Sequence, residues 1–299
     1  MAKLIECALN FSEGSDLDLV DDIVASIKNP CLPAGRAKVL DVHSDPDHNR
    51  SVVTFMGEPA AVKQAAFDLT ERAMQLLDVR DHAGVHPYIG VVDVIPFIPL
   101  KNCAMKDAIE LAHQLGKELW EKLKLPVYFY GEAAKISERK DLPYVRKGGY
   151  AVLRRGIKEP HRRPDVGHGL HVTAGAAAVG ARKFLIAFNV NLATTDPDIA
   201  HSIAKNIRES HGGLAGVRAI GVELKSRNLT QVSLNIVDHQ KTSLKKVFDE
   251  VSKWAAEYKV EIVESEMVGL IPAAAAFEGM KEYLKLPNLP KNIIIDNYL

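Results

Sequence analysis

The sequence is poor in cysteine, carries no excess charge of either sign and has no long hydrophobic run. Its three cysteines, Cys7, Cys31 and Cys103, are far apart, and no pair has the spacing of metal ligands. In a chain of 299 residues this pattern excludes a disulfide framework. We therefore expect reduced thiols in a cytoplasmic protein.

The charges balance, because 38 Lys and Arg residues match 38 Asp and Glu residues. A net charge of zero gives no reason to expect nucleic acid or an anionic membrane as a partner. No window approaches the ~18 apolar residues that a membrane-spanning helix requires. Lys3 and Glu6 also interrupt the segment where a signal peptide would have its apolar core. The absence of a G-x-G-x-x-G motif after a strand and of a Walker motif argues against a nucleotide cofactor.

The chain does contain alternating apolar strands and amphipathic helices, in a composition of 47% apolar and 25% charged residues that is typical of globular proteins. In the first half we predict strands at 3–11, 39–42, 51–56, 91–100 and 127–130 and helices at 16–28, 59–77 and 104–123. In the second half we predict strands at 183–192, 217–224, 230–237 and 260–267 and helices at 198–209, 244–258 and 274–284. Residues 154–180 are polar, have little periodicity, and are expected to form a segment without regular structure that is both a functional loop and a linker.

Each half therefore has the order β-α-β-β-α-β, which is the order of a ferredoxin-like fold, and the first half adds one more helix and strand. We predict an α+β protein made of two ferredoxin-like subdomains, residues 1–180 and 181–299. We expect their sheets to pack on one another with a ligand groove between them.

The most informative stretch is H-A-G-V-H-P-Y-I-G-V-V-D-V-I-P-F-I-P-L, residues 82–100. Gly84 and Pro87 disfavour a helix through the two histidines, and the apolar run that follows indicates a buried strand with Asp93 as its only charge. His82 and His86 thus lie beside the start of a strand, where loops often carry catalytic groups. A loop histidine can also serve only to satisfy backbone groups, so this stretch alone leaves both roles open.

Histidines and aspartates concentrate in the loops between His43 and His171, and two kinds of chemistry compete for them. A divalent metal held by these residues would indicate a hydrolase. However, neither His82 with His86 nor G-H-G-L-H at 167–171 has the spacing of H-E-x-x-H or a comparable motif. Alternatively, a histidine with a near-neutral pKa moves protons during group transfer while polar loops hold the substrates.

Two loops suit polar substrates. In D-P-D-H-N-R at 45–50, Arg50 can bind a carboxylate through two hydrogen bonds and Asn49 can both donate and accept. The same letters are also typical of an ordinary tight turn. The glycines of G-H-G-L-H-V-T-A-G at 167–175 let backbone N–H groups approach a ligand closely.

Six segments, in this order, are similar to the glutamate formiminotransferase family, and the resemblance covers nearly all of residues 3–272. They are N-F-S-E-G, L-D-V-H-S-D-P-D-H-N-R-S-V, G-V-H-P-Y-I-G-V-V-D-V-I-P-F-I-P-L, P-V-Y-F-Y-G-E-A-A, T-A-G-A-A-A-V-G-A-R-K-F-L-I-A-F-N-V-N-L and Q-V-S-L-N. The resemblance implies a cytoplasmic homodimeric enzyme of histidine and one-carbon metabolism, with small-molecule substrates as its partners. We expect no fused cyclodeaminase, because the chain ends soon after the matching part.

The implied reaction moves a formimino or formyl group from N-formiminoglutamate to N5 of tetrahydrofolate, which is a co-substrate, without a metal. His86 of the G-x-H-P turn is the implied catalytic residue, acting first as a base and then as an acid. The folate-binding loop of the family corresponds to Gly167, His168, Gly169, Leu170, His171, Val172, Thr173, Ala174 and Gly175. Candidates for substrate binding are Asn10, His43, His48, Asn49, Arg50, His82, Arg182 and Asn189. Of these, Arg50 and Arg182 suit carboxylates.

The chain departs from the family pattern on both sides of His86, where G-V-H-P-Y stands in place of G-E-H-P-R. His43 stands where the family has an aspartate. Two alternatives therefore stay open. One is a formiminotransferase-like protein that binds folate or another ligand without transfer, and the other is a metal-assisted hydrolase that uses the histidine cluster.

Overall fold

The computed structural model describes residues 2–28 and 37–299, which divide into two compact units. The first unit ends at Lys183, and the second covers Phe184–Leu299. Cys7 and Cys103 are free thiols, whereas Cys31 lies outside the described residues. None of the described helices is long and apolar enough to cross a membrane.

The first unit contains a six-stranded sheet in the order β2-β3-β1-β4-β6-β5. Along the chain its elements are β1 (Ile5–Phe11), α1 (Leu17–Ala25), β2 (Lys38–Asp45), β3 (Arg50–Gly57), α2 (Pro59–Leu76), β4 (Val92–Pro99), α3 (Met105–Leu123), β5 (Val127–Gly131), α4 (Leu142–Val145), α5 (Gly149–Gly156) and β6 (Ala177–Ala181). Strands β1 to β4 pair antiparallel, and β6 runs parallel to both β4 and β5.

An aspartate and a proline stabilise the first turns of two helices that the sequence predicts. The Asp16 carboxylate accepts the backbone N–H groups of Asp18 and Leu19, both at 3.1 Å, and so caps α1. Pro59 occupies the first turn of α2, where its missing N–H costs no helical hydrogen bond.

The prediction that residues 154–180 form a loop without regular structure is wrong at both ends, because α5 extends to Gly156 and β6 begins at Ala177. Strand β6 lies between β4 and β5, so the first unit gains two extra strands rather than one. Its sequence A-A-V-G-A is buried throughout and has one β-branched residue, so it shows neither alternation nor strong β propensity. Near the C-terminus, the predicted helix 274–284 is reduced to a 3₁₀ turn, Ala273–Ala275, and the short helix Met280–Tyr283.

The two faces of the six-stranded sheet differ in chemistry. One face carries apolar side chains such as Cys7, Leu9, Phe55 and Phe97, which belong to the core beneath α1, α2 and α3. Because side chains alternate along a strand and paired residues share a face, the opposite face carries polar groups. We call this opposite face the polar face; its polar members include Glu6, Asn10, His43, Arg50, Thr54 and Tyr130.

A short helical segment packs on the polar face near β5. Leu153 of α5 is buried in a cluster with Tyr128, Tyr130 and Ala178, and Leu142 and Val145 of α4 pack against it. This packing brings Arg146, the residue that ends α4, close enough to Arg50 and Tyr130 of the polar face for its charge to act on both.

The second unit has a four-stranded antiparallel sheet in the order β10-β7-β9-β8. Its elements are β7 (Ile186–Leu192), α6 (Pro197–Ile207), β8 (Val217–Leu224), β9 (Leu229–Ile236), α7 (Leu244–Glu257), β10 (Ile262–Val268) and α8 (Met280–Tyr283). One face of the sheet belongs to the core under α6 and α7, and the other carries Asn189, Asn191, Gln231, Glu264 and Glu266. In both units the first strand of the β-α-β-β-α-β order lies between the third and the fourth.

Candidate active site

A tight turn between β2 and β3 places the first polar groups of the site. The Asp45 Oδ1 accepts the backbone N–H of His48 at 2.7 Å, and Asn49 adopts a left-handed conformation with a φ of 45°. The turn therefore delivers Arg50 as the first residue of β3. There the Arg50 Nη1 donates to the Oδ1 of Asn10 on β1 at 3.4 Å.

Asn49 joins three loops. Its Oδ1 accepts the backbone N–H of Gly14 at 3.0 Å, and its Nδ2 donates to the carbonyl oxygen of Ala83 at 3.0 Å. Both ends of the Asn49 amide are thus occupied by protein groups. Gly84 allows this close approach, since a Cβ there would lie 2.3 Å from the carbonyl oxygen of His48.

His86 forms a hydrogen bond with Arg50 at the centre of these loops. The distance between the Arg50 Nη1 and the His86 Nε2 is 2.8 Å. A guanidinium group can only donate, so the Nε2 accepts and carries no proton. The His86 ring is therefore neutral, with its proton on Nδ1. The His48 ring stacks beside it, with 5.8 Å between the ring centroids.

The surroundings keep the His86 imidazole neutral. Burial is the largest cause that holds its pKa well below the ordinary value of 6.5, and the positive charges of Arg50 and Arg146 add to it. The pKa of Arg50 is lowered as well, to about 10, by burial and by the positive charge of Arg146. The site thus combines an unprotonated imidazole with a concentration of positive charge.

Asp93 supplies the counter-charge in this region. It is 2% exposed; its Oδ1 accepts the Ile89 N–H at 3.0 Å and its Oδ2 forms an ion pair with the Arg146 Nη2. The single charge in the predicted buried strand therefore anchors Arg146 and the loop that follows His86.

His82 and Tyr88 pack together next to His86. The His82 Nδ1 lies 3.1 Å from the Ser12 carbonyl oxygen and 3.3 Å from the Asn49 Nδ2. The Tyr88 and His82 rings pack edge to face, with 4.3 Å between their centroids. The Tyr88 hydroxyl donates to the His82 carbonyl oxygen at 3.3 Å. Tyr88 thus has a packing role, whereas the Val85 side chain is 39% exposed.

The predicted folate loop, residues 167–175, adjoins the histidine loop. Gly90 and Gly175 form a β-bridge, and the Val91 N–H donates to the Ala174 carbonyl oxygen at 3.0 Å. Within the loop, the His171 Nδ1 accepts the Ala174 N–H at 3.1 Å, and Val172 is 71% exposed. The structure therefore brings residues 167–175 and His86 to the same end of β4.

The remaining predicted residues are spread more widely. His43 pairs with Val52 and lies on the polar face near Arg50. Arg182 directly follows β6, at the opposite end of the polar face. Asn189 lies in the second unit, buried on β7. Among residues 2–28 and 37–299 no group of three His, Cys, Asp or Glu side chains could hold a metal ion.

Comparison with known proteins identifies the family. The family model of the formiminotransferase domain, N-terminal subdomain, matches residues 4–182, and that of the formiminotransferase domain matches residues 187–295. The chain belongs to the formiminotransferase family. The two matches divide the chain between residues 182 and 187, where the compact units also divide.

Curated members of the formiminotransferase family resemble the chain over nearly its whole length. The glutamate formimidoyltransferase of Thermoplasma acidophilum is 41% identical over 98% of this chain and 96% of its own length. That of Streptococcus pyogenes serotype M1 is 40% identical over 100% of this chain and 99% of its own. The formimidoyltransferase-cyclodeaminase of Rattus norvegicus is 40% identical over 95% of this chain, which spans 53% of that relative.

Two charged residues in this formiminotransferase subdomain were missed as candidates from the sequence. Arg146 follows a short helix with no motif around it, so no signal pointed to it. Glu6 did carry a signal, because a glutamate in the middle of a buried strand must share a face with Asn10, four residues later.

Proposed function

We propose that the protein is a glutamate formimidoyltransferase, which transfers the formimino group of N-formiminoglutamate to N5 of tetrahydrofolate. The observation that carries the proposal is the unprotonated His86 Nε2 held by Arg50 on the polar face. It supports a general base in a site rich in positive charge, which suits substrates with several carboxylates.

His86 accounts for the protons of this reaction. A bond forms between N5 and the amidine carbon, and the bond between that carbon and the glutamate nitrogen breaks. His86 takes the proton that N5 loses and returns it to the glutamate nitrogen as this leaves, so the ring ends neutral. General acid–base catalysis of this kind contributes roughly 10²–10⁴-fold to the rate.

Arg50 links substrate binding to the basicity of His86. When a substrate carboxylate binds the Arg50 guanidinium, it replaces His86 as the hydrogen-bond acceptor. The lone pair on the His86 Nε2 then becomes available to accept the proton of N5. The carboxylate also offsets the positive charge that depresses the pKa of His86. The substrate thereby strengthens the base that acts on it.

The other roles follow from the family resemblance. We assign folate binding to residues 167–175, and Arg182 remains a candidate for a substrate carboxylate. Asn10, His43, His48, Asn49, His82 and Asn189 remain substrate-binding candidates. The bridge between Gly90 and Gly175 supports the folate assignment, because it keeps that loop beside His86.

We also propose that both units are ferredoxin-like subdomains with the ligand groove between them. The shared strand order, in which the first strand lies between the third and fourth, supports the first part of this proposal. A cytoplasmic homodimer acting in histidine and one-carbon metabolism completes the proposal on the basis of the family resemblance.

The test supplies N-formiminoglutamate and tetrahydrofolate to the purified protein and follows 5-formiminotetrahydrofolate and glutamate by mass spectrometry. We expect both products in equal amounts, and neither when one substrate is left out. Tight folate binding without product would instead establish the non-transferring alternative. Activity that chelators abolish and stoichiometric zinc restores would favour the metal-assisted hydrolase.

A further inference from the structure

Glu6 lies at the end of the polar face that is opposite to His86. This side chain is 3% exposed, and its Oε2 is fully enclosed without a hydrogen-bond partner among the described residues. The neighbouring hydroxyl of Thr54, on the paired strand β3, is also buried without a partner in the same part of the chain. A buried polar atom without a partner costs about 1–3 kcal/mol, so these groups are suited to a partner from outside the protein.

The charge of Glu6 is only partly balanced. Arg182 is the positively charged residue whose electrostatic influence on Glu6 is seen in the described part of the chain, and it interacts with Tyr130 of β5 as well. Burial is the larger influence and raises the pKa of Glu6 to about 7. A hydrogen-bond donor placed against this carboxyl would therefore gain a strong acceptor.

The sheet sets the distance between Glu6 and the catalytic end. Glu6 pairs with Ile98 near the end of β4, whereas Asn10 pairs with Val94 near its start, where the His86 turn and residues 167–175 lie. Four residues of β1 span about 13 Å at ~3.3 Å per residue. Two hydrogen bonds of about 2.9 Å each and a group of two fused six-membered rings between them fit this span.

Resting on the proposed function, we propose that Glu6 is the group that recognises the pyrimidine ring of the folate co-substrate. A carboxylate can accept the ring N3–H and the exocyclic 2-amino group together. N5 then points toward His86, and the chain that carries the benzoyl glutamate runs toward residues 167–175. Thr54 offers a further hydrogen bond to the same edge of the ring.

A double-mutant cycle between protein and ligand tests this proposal. The Glu6→Gln variant keeps the shape of the side chain but cannot accept both donors, so we expect the KM for tetrahydrofolate to rise roughly 10- to 100-fold. The KM for N-formiminoglutamate should stay within about twofold. The second ligand is 2-desamino-tetrahydrofolate, which lacks the amino group. It should bind the wild type more weakly than tetrahydrofolate does. The ratio of the two affinities should be much smaller in the Glu6→Gln variant than in the wild type.

A matched control separates recognition from folding. Glu118→Gln makes the same change on α3, where Lys63 and Lys122 hold the carboxylate at 2.5 and 2.7 Å, and it should leave both KM values unchanged. The proposal would be overturned if the Glu6→Gln substitution and the loss of the amino group lowered the affinity for the folate by independent factors that multiply. Equal rises in both KM values would also overturn it. If wild type forms no product while direct binding still shows the coupling, the proposed function fails and the Glu6 subsite stands.

Discussion

The polar faces of the two sheets have similar residue types but differ in how well their charges are paired. In the second unit, the Asn191 Nδ2 donates to the Glu266 Oε1 at 2.8 Å, the Gln231 Nε2 donates to the Asn191 Oδ1 at 2.9 Å, and Arg227 pairs with both Glu264 and Glu266. In the first unit, the Glu6 Oε2, the Arg50 Nε and the Arg146 Nε are buried without hydrogen-bond partners among the described residues.

This difference separates a structural network from a binding surface. A polar network whose members satisfy one another makes a sheet face rigid and gives a ligand little to add. A face that leaves buried charged groups unsatisfied gives up stability that a polar ligand can restore. Substitutions in the first unit's site should therefore have large effects on catalysis, pH dependence and stability, whereas those in the second network should change stability only modestly.

The largest effect is expected for His86→Asn. Loss of the base should lower kcat by roughly 10²–10⁴-fold, while tetrahydrofolate still binds, since residues 167–175 are unchanged. Steady-state kinetics and equilibrium binding of the folate measure the two quantities. Turnover at the wild-type rate would remove His86 from the mechanism.

Asp93→Asn should be the most damaging change to stability. It leaves the Arg146 guanidinium buried without its counter-charge, which typically costs about 3–5 kcal/mol. Urea denaturation at neutral pH measures the loss. A loss below about 1 kcal/mol would mean that solvent reaches Arg146 readily.

Glu6→Gln should stabilise the protein at neutral and alkaline pH. The pKa of Glu6 rises from 4.5 to about 7 on folding, so the folded state keeps a proton that the unfolded state releases. Stability of the wild type should therefore fall as the pH rises from about 4.5 to 7, by a total of about 3 kcal/mol at 1.36 kcal/mol per pKa unit. Denaturation curves across this range should show the gap between variant and wild type widening, and a constant gap would contradict the assigned pKa.

Arg50→Gln should affect both binding and pH dependence. Loss of a charge-assisted hydrogen bond is expected to raise the KM for N-formiminoglutamate roughly 10- to 100-fold. Removing a nearby positive charge also raises the pKa of His86. Because the pKa of His86 is lowered, we expect the acidic limb of kcat/KM well below pH 6.5 in the wild type, and it should move up toward 6.5 in the variant. A shift in the opposite direction would show that Arg50 does not control the base.

The smallest effect is expected for Glu266→Gln, the counterpart of Glu6→Gln in the second unit. It weakens a partly exposed ion pair with Arg227 and keeps an oxygen for Asn191, so the cost should be about 1 kcal/mol or less. The same denaturation experiment at pH 7 gives the comparison. Stabilisation by Glu266→Gln would show that this network is no better satisfied than the polar face of the first unit.

The sequence predicted the regular part of the fold because its strands and helices have clear periods. The apolar run after His86 and the amphipathic pattern of α3 both lie where the period places them. Strand β6 gave no such signal, since A-A-V-G-A is short, uniformly buried and mostly alanine and glycine.

The site was harder to predict, because its key contact is not local. His86 and Arg50 were singled out separately, yet the hydrogen bond between them joins residues 36 positions apart. The two loops meet through the close approach that Gly84 allows to the carbonyl of His48, the hydrogen bond from Asn49 to Ala83 and the backbone hydrogen bond from Val85 to Asp47. Glu6 could have been found from strand alternation, whereas Arg146 depended on how α4 packs.

The position of β6 between β4 and β5 has a consequence for how the chain acquires its fold. On a nascent chain, β5 emerges before the strand that connects it to the rest of the sheet, and more than forty residues separate the two. Such long-range pairing is slow, because the chain entropy is lost before the contact forms. Residues 167–175 directly precede β6, so this late closure also orders the proposed folate loop. Competence for folate should therefore arise in the same kinetic step as completion of the sheet.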